Sequence, residues 1–246
     1  ATFPLPVKAF LRDDGTPVRD GDVVYLRAAA DDWDDVAVLK EPGRSGEFEL
    51  RIASKEAIEA ILVKELADLR PDLMRAREQQ RDATGKTADT KPQADGSLSA
   101  ADREKLLAAE YAQRQVRGKV GDRRDGLRAK AEMLRDLAKA NHLPRSNATD
   151  RAEAAAEELG RLADRDLAAV EPLLGDARQL GSQPAPKPPA ENPVPGPLNR
   201  AARHQKSIDD TLTGLIDLLS QWGDAGALRG DARLLRDAVN REAGPA

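Results

Sequence analysis

Apolar residues recur along the C-terminal quarter of the chain as Leu198, Ala201, Gln205, Ile208, Leu212, Leu215, Leu219 and Trp222. The steps alternate between three and four. That spacing draws a narrow seam along one helix, the form a helix takes when it lies against another helix. Gln205 is the one strongly polar position in it. Ser54 is placed to cap an earlier helix from Lys55, whose face is Ile58, Ile61, Leu62, Leu66, Leu69 and Leu73. Pro71 predicts a kink or split near Arg70. The pattern fades by about Arg81, and the polar run from Ala83 to Gly96 reads as an exposed loop. Ser99 and Asp102 have capping-box spacing for a second helix. Leu106, Gln113, Val120, Leu127 and Leu134 then recur every seven residues, with Ala109, Val116 and Leu137 beside them. A continuous helix to Asn141 is a rod of roughly 60 Å at about 1.5 Å per residue. A third helix is expected from about Asp150 to Leu180, with Pro172 at a kink.

The first 53 residues follow a different period. Glu47-Phe48-Glu49-Leu50-Arg51-Ile52 alternates strictly, with charge outward and apolar side chains inward. Asp22 to Ala28 alternates in part, and Val7–Leu11 and Val36–Leu39 are two further strand candidates. Turn signals at Asp13-Asp14-Gly15, Arg19-Asp20-Gly21 and Pro42-Gly43 separate them. About four antiparallel strands are too few for a seven-stranded sandwich. The expected fold is therefore mainly α with a small antiparallel β-segment at the N-terminus, the helices forming elongated hairpins in a coiled-coil-like bundle. The expected parts are the β-segment at 1–53, a long hairpin and third helix at 54–181, a Pro-rich linker at 182–197, and C-terminal helices at 198–246 that pack on the hairpin. Seven prolines between Gln183 and Pro197 make that linker extended and semi-rigid. Gly223 and Gly226 are expected to break the last helix, leaving a short one from Leu228 to Val239.

Composition narrows the chemistry. Cysteine is absent, which excludes disulfides, thiolate metal sites and cysteine nucleophiles. No apolar run approaches the roughly 18 to 20 residues that span a bilayer. The chain opens at Ala1 without a signal peptide or initiating methionine, which reads as a processed or excised fragment. The whole net charge of −4 sits on residues 1–53, and the remainder is balanced. A nucleic-acid binder carries a basic excess on some element. The one local candidate is Arg114, Arg117, Lys119, Arg123, Arg124, Arg128 and Lys130. These wrap several helix faces, Asp122 and Asp125 interrupt them, and no aromatics interleave for base stacking. A solvated face with intrahelical ion pairs is the expectation, an anionic partner the alternative.

Other motifs are weaker still. Gly85-Lys86-Thr87 imitates the end of a phosphate-binding loop, but position 80 is glutamine and no strand precedes it. His142 sits at a helix C-terminus, where a cation complements the helix dipole, and His204 flanks the ladder. Neither has metal-ligand or triad spacing. Asp31, Asp32, Asp34 and Asp35 around Trp33 are the most site-like cluster, since hard cations take several carboxylate oxygens. No calcium-loop spacing is present, so a solvated acidic turn is the expectation and calcium the sharper alternative. No cofactor is expected. Gln113 and Gln205 are polar seam positions of the kind that fix register or partner choice. Gln205, Leu212, Leu219 and Trp222 are the candidate interaction residues, with Trp222 a helix-end anchor or a hot spot for another chain.

Ala30-Asp31-Asp32-Trp33, the strand Val36–Leu39 and the closing strand Gly46 to Ile52 resemble the last part of an Ig-like module in large bacterial envelope proteins. Those proteins carry an Ala-x-Asp-Asp-aromatic-Gly turn followed by long glutamine-containing helices. Asp34-Asp35 replaces the expected glycine here. The resemblance covers roughly residues 22–84. It implies an extracytoplasmic scaffold segment of a longer, membrane-anchored chain, and no catalytic residue. The expectation is a structural or interaction scaffold that is not an enzyme, working through protein partners or self-association. It is expected to contact no nucleic acid and to place no span in the membrane. The alternative is a ligand-binding module that takes calcium or a glycan on the Asp-rich turns.

Overall fold

The computed structural model describes residues 7–30, 43–93, 97–182 and 194–242, the side chains of Lys8 and of residues 221–242 excepted. The chain is mainly helical, with a small antiparallel β region at the N-terminus. It divides into two compact units, Ala1–Ala60 and Ile61–Ala246.

In the first unit, β1 (Val23–Leu26) pairs antiparallel with β4 (Phe48–Arg51), and β2 (Ala29–Ala30) with β3 (Gly43–Arg44). The register sets Val24 opposite Leu50 and Leu26 opposite Phe48, so these four share one face. That face is not closed over: Phe48 and Leu50 are exposed, against the inward orientation expected of them. Val7–Ala9 is a single 3-10 turn rather than a strand, and Leu11 bridges Pro17. The candidate strand Val36–Leu39 lies outside the described residues. The turns at Asp13-Asp14-Gly15 and Arg19-Asp20-Gly21 form as expected, whereas Gly43 opens β3 and Pro42 lies outside the described residues. The Asp14 carboxylate accepts from the Thr16 amide and hydroxyl at 2.9 and 2.6 Å. Arg12 grips Asp22 with two bonds of 2.7 and 2.8 Å. Ser54 caps α1 (Lys55–Ala88), its hydroxyl accepting from the Ala57 amide at 3.1 Å.

The second unit holds the rest of α1 with α2 (Ala100–Gly121), α3 (Leu127–Ala140), α4 (Asn147–Arg161), α5 (Leu167–Leu180) and α6 (Pro195–Glu242). One apolar cluster runs through all of them. The nearest backbone neighbours are α5 with α6, α2 with α5, and α3 with α4. Alanines at the α3–α4 contact (Ala131, Ala138, Ala148, Ala152, Ala155) are all buried, and small side chains let helices approach closely.

Several boundaries depart from expectation, each for a local reason. α1 runs unbroken through Pro71 and on to Ala88 instead of fading near Arg81. Its buried stripe continues past Ala76 as Gln80, Ala83 and Thr87, which no apolar pattern marks. Thr84 and Thr87 donate back to the carbonyls of Gln80 and Ala83, a bond helical threonine makes within its own helix. The 60 Å rod is two helices. The Asp122 carboxylate accepts from the amides of Arg124 and Asp125 at 2.7 and 3.0 Å, turning the chain out of α2. At Gly126, which opens α3, a Cβ would lie 2.5 Å from the Asp122 carbonyl oxygen, so the turn requires glycine.

α3 ends in a Schellman motif. The Leu143 amide bonds the Ala138 carbonyl, the His142 amide bonds that of Lys139, and His142 takes the left-handed conformation at φ +48°. Ser146 and Thr149 form a reciprocal capping box for α4, three residues before the expected start. Between α4 and α5 lies one π-turn, Leu162–Asp166. The buried positions Leu159, Leu162, Asp166, Leu167 and Val170 keep helical spacing through it, and Leu162, Asp166 and Leu167 all face inward. α6 begins three residues early, because Pro195 and Pro197 sit in a first turn whose amides have no intrahelical acceptor. It passes through Gly223 and Gly226 without the expected break.

Candidate functional site: two buried polar assemblies on the last helix

The ladder of α6 faces inward. Gln205 and Leu212 have no exposure, and Leu219 retains 4%. These three candidate interaction residues therefore meet other helices of the same chain, and they present no free surface. The Trp222 side chain lies outside the described residues.

Gln205 belongs to an amide layer drawn from three helices. Gln80 of α1 and Gln113 of α2 exchange side-chain bonds, each Nε2 donating to the other's Oε1 at 3.3 and 2.9 Å. Gln205 Nε2 donates to Thr87 Oγ1 at 3.1 Å and to Gln113 Oε1 at 3.4 Å. All three glutamines are fully buried. Gln205 Oε1 alone has no partner. Burial of an amide is tolerated when its groups are paired, so a layer that is nearly but not wholly satisfied costs stability at one atom.

On the same turn of α6 is an ionic assembly. Asp166, at the end of the π-turn, is buried. Its two oxygens accept from His204 Nδ1 at 2.8 Å, from Ser207 Oγ at 3.2 Å and from Arg161 at 3.4 Å. Arg161 also forks onto Glu158 and reaches Thr211 Oγ1 at 3.1 Å. Glu158 holds the Arg161 guanidinium pKa above its ordinary value, the hydrogen bond outweighing desolvation. Asp, His and Ser meet here without the geometry of a nucleophilic triad. Ser207 donates to the carboxylate and not to the imidazole, so no base is set to take its proton.

Ion pairs, most of them between helices, engage Arg114, Arg117, Arg128 and Lys130 of the basic stretch. Arg114 and Arg117 meet Glu171 of α5. Arg128 meets Glu132 and Asp164, which raise its pKa. Lys130 bonds Asp72 of α1 at 2.8 Å, pulling that carboxyl below its usual range. A shallow groove of about 680 Å³ runs among Arg114, Arg117, Arg123, Arg128, Asp164 and Glu171. Another, of about 720 Å³, separates α2 from α5 beside Leu107 and Pro172. Neither is lined by the amide layer or by Asp166. Gly85-Lys86-Thr87 lies within α1, and Thr87 turns into the core. His142 occupies the left-handed position after α3. Among the described residues no three His, Asp or Glu side chains are grouped to hold a metal. Asp31, Asp32, Asp34 and Asp35 lie outside them.

Sequence reasoning named Gln113 and Gln205 but missed Gln80, Thr87 and Asp166. Gln80 and Thr87 continue the α1 stripe at helical spacing, which is the signal that finds them. Asp166 also falls at helical spacing, four residues after Leu162 and four before Val170, but its charge hides it from an apolar pattern. Comparison with family models, with curated proteins and with solved structures finds no match to the chain.

Proposed function

We propose that the chain is a non-catalytic scaffold segment of a larger bacterial envelope protein, on which protein partners or further copies assemble. The observation that carries this reading is how the buried polar groups are used. The amides of Gln80, Gln113 and Gln205 bond to one another between helices, the half-buried His204 bonds Asp166, and none of them lines either groove described above. Catalytic and ligand-binding groups instead converge on a concave site. The seams of the helices are consumed within the chain, so assembly uses exposed positions such as Leu107 and Tyr111 on α2. The Ig-like reading of the first unit, and a place outside the cytoplasm, rest on the resemblance of residues 22–84.

Photo-crosslinking from Leu107, Tyr111 and Met133 in envelope membranes, with sedimentation velocity on the isolated chain, tests the proposal. The expected result is one discrete cross-linked species from neighbouring positions, either a second protein or a dimer. A chain that stays monomeric at all concentrations and cross-links from no position overturns it.

A further inference from the structure

We propose that the Gln80–Gln113–Gln205 layer is a register lock for α6: it selects one axial position of that helix against a competing one a heptad away. The inference starts from the ladder. A seam stepping three and four repeats every seven residues, so sliding α6 by one heptad lays apolar residues over apolar residues again. In one such slide Leu198 takes the place of Gln205, Ala201 that of Ile208, Ile208 that of Leu215, and Leu212 that of Leu219. Hydrophobic burial separates these two positions chiefly through Ala201, which is smaller than the Ile208 it replaces.

The amides separate them strongly. In the displaced register Gln205 would enter the site of Leu212, which has no exposure. There its Nε2 would lose its present partners, Thr87 and Gln113. Leu198 would face Gln113 and Thr87, which keep their bonds to Gln80 and the Ala83 carbonyl, so the penalty falls on Gln205 itself. A buried polar group stripped of partners is penalised far more than a well-made bond is rewarded. Of the other contacts that follow the same register, the ion pairs of Arg77 and Arg81 with Asp209 are partly exposed and contribute little, while the buried Asp166, which would lose His204 and Ser207, adds to the penalty.

The lock is not there for stability. Replacing Gln205 by leucine strands no partner: Gln113 Oε1 still accepts from Gln80, and Thr87 Oγ1 still donates to the Ala83 carbonyl. The substitution also removes the unpaired Gln205 Oε1. It would, however, remove the amide penalty of the displaced register, since leucine fits the Leu212 site, and leave the contacts of Asp166 with His204 and Ser207 as the remaining polar cost of the slide.

The test reads register directly. The chain contains no cysteine, so Lys64→Cys on α1 and Lys206→Cys on α6 accept nitroxide labels uniquely. Both lysine side chains are about three-quarters exposed, at 74% and 75%. Thr87 meets Gln205 while Arg77 and Arg81 meet Asp209, so α1 and α6 run antiparallel. The slide described carries position 206 toward position 64 by up to about 10 Å, seven residues at 1.5 Å each. Electron–electron distance measurement on the otherwise native chain is expected to give one distance. With Gln205→Leu it is expected to give a second, shorter population, while the melting temperature stays level or rises. A single unchanged distance in Gln205→Leu overturns the proposal. So does a melting temperature lowered by more than about 4 °C, since the layer would then be a net source of stability.

Discussion

In the first unit Phe48 stands 64% exposed and Leu50 42% on a two-stranded sheet, while in the second unit Leu62, Leu73, Leu106, Leu159 and Leu212 have no exposure at all. Both regions carry a clean periodic pattern in sequence. Period 2 gave β4 its strand but no cover for its apolar face. The helical periods gave seams that other helices close over. An amphipathic strand needs a second layer to profit from its pattern, and a pair of short strands supplies none. A helix finds its cover in the next helix of the same chain. Periodicity reports the element, and only the number of elements at hand decides whether the apolar side is buried.

The contrast breaks first at Leu212. Leu212→Ala in α6 is expected to cost about 2 to 5 kcal/mol, the transfer term plus a cavity in a site with no exposure. Phe48→Ala in β4 should cost well under about 1 kcal/mol, because most of that ring already meets water. Urea unfolding of the two variants checks both numbers. Equal losses would mean that β4 is covered in solution.

A smaller effect tests the polar part of the same core. Gln113→Leu leaves Gln80 Oε1 without its donor at full burial, so a loss of about 1 to 3 kcal/mol is expected. The neighbouring Gln205→Leu leaves no such orphan. The two substitutions are alike in size and burial, and a difference between them isolates the stranded acceptor. Identical behaviour would show that volume, not hydrogen bonding, governs the layer.

What could be read from residues follows the same division. The strands β1 and β4, the caps Ser54 and Ser99, and the seam from Leu198 to Leu219 are written in local chemistry or simple periods, and they form as expected. The continuation of α1 to Ala88 was hidden because its buried face turns polar at Gln80 and Thr87. The division between α2 and α3 was hidden by a heptad that stays in phase across it, from Val120 to Leu127. There the true signal was Asp122 and Gly126, turn chemistry inside an apolar repeat. The π-turn was the least legible. The buried positions around it, Leu159, Leu162, Asp166 and Val170, keep the steps of an ordinary helix, so no break in the apolar pattern marks it. The Gly223 and Gly226 pair misled in the other direction, since a helix interior tolerates glycine at about 1 kcal/mol each.

The third test changes sign. His142 holds φ at +48° after α3, a conformation glycine adopts without the Cβ clash. The Schellman bonds around it are backbone bonds and survive replacement. His142→Gly is expected to stabilise the helical unit by roughly 0.5 to 1 kcal/mol in urea unfolding, leaving the first unit untouched. A loss would mean that the imidazole itself contributes at the helix end.

The smallest effect separates the units by acid. In the first, Arg12 holds the Asp22 carboxyl below its usual range through their hydrogen bonds, with help from the Arg19 amide at 2.6 Å. In the second, Lys130 does the same for Asp72. A carboxyl whose folded pKa is depressed adds stability above its unfolded value of about 3.9. That contribution is lost as pH falls from there through the lower folded value. Both units should therefore weaken on the acid side and neither on the alkaline side from these groups. The consequences differ, because the Arg12–Asp22 pair ties a turn with little apolar cover, whereas Asp72–Lys130 flanks a leucine core that holds without it. Asp22→Asn should remove the acid response of amide signals at Arg12 and Arg19 in NMR spectra between about pH 5 and 2 while leaving the helical signals unchanged. If the helical signals shift with them, the two units do not titrate independently, and the contrast between an uncovered sheet and a closed helical core is narrower than their burial implies.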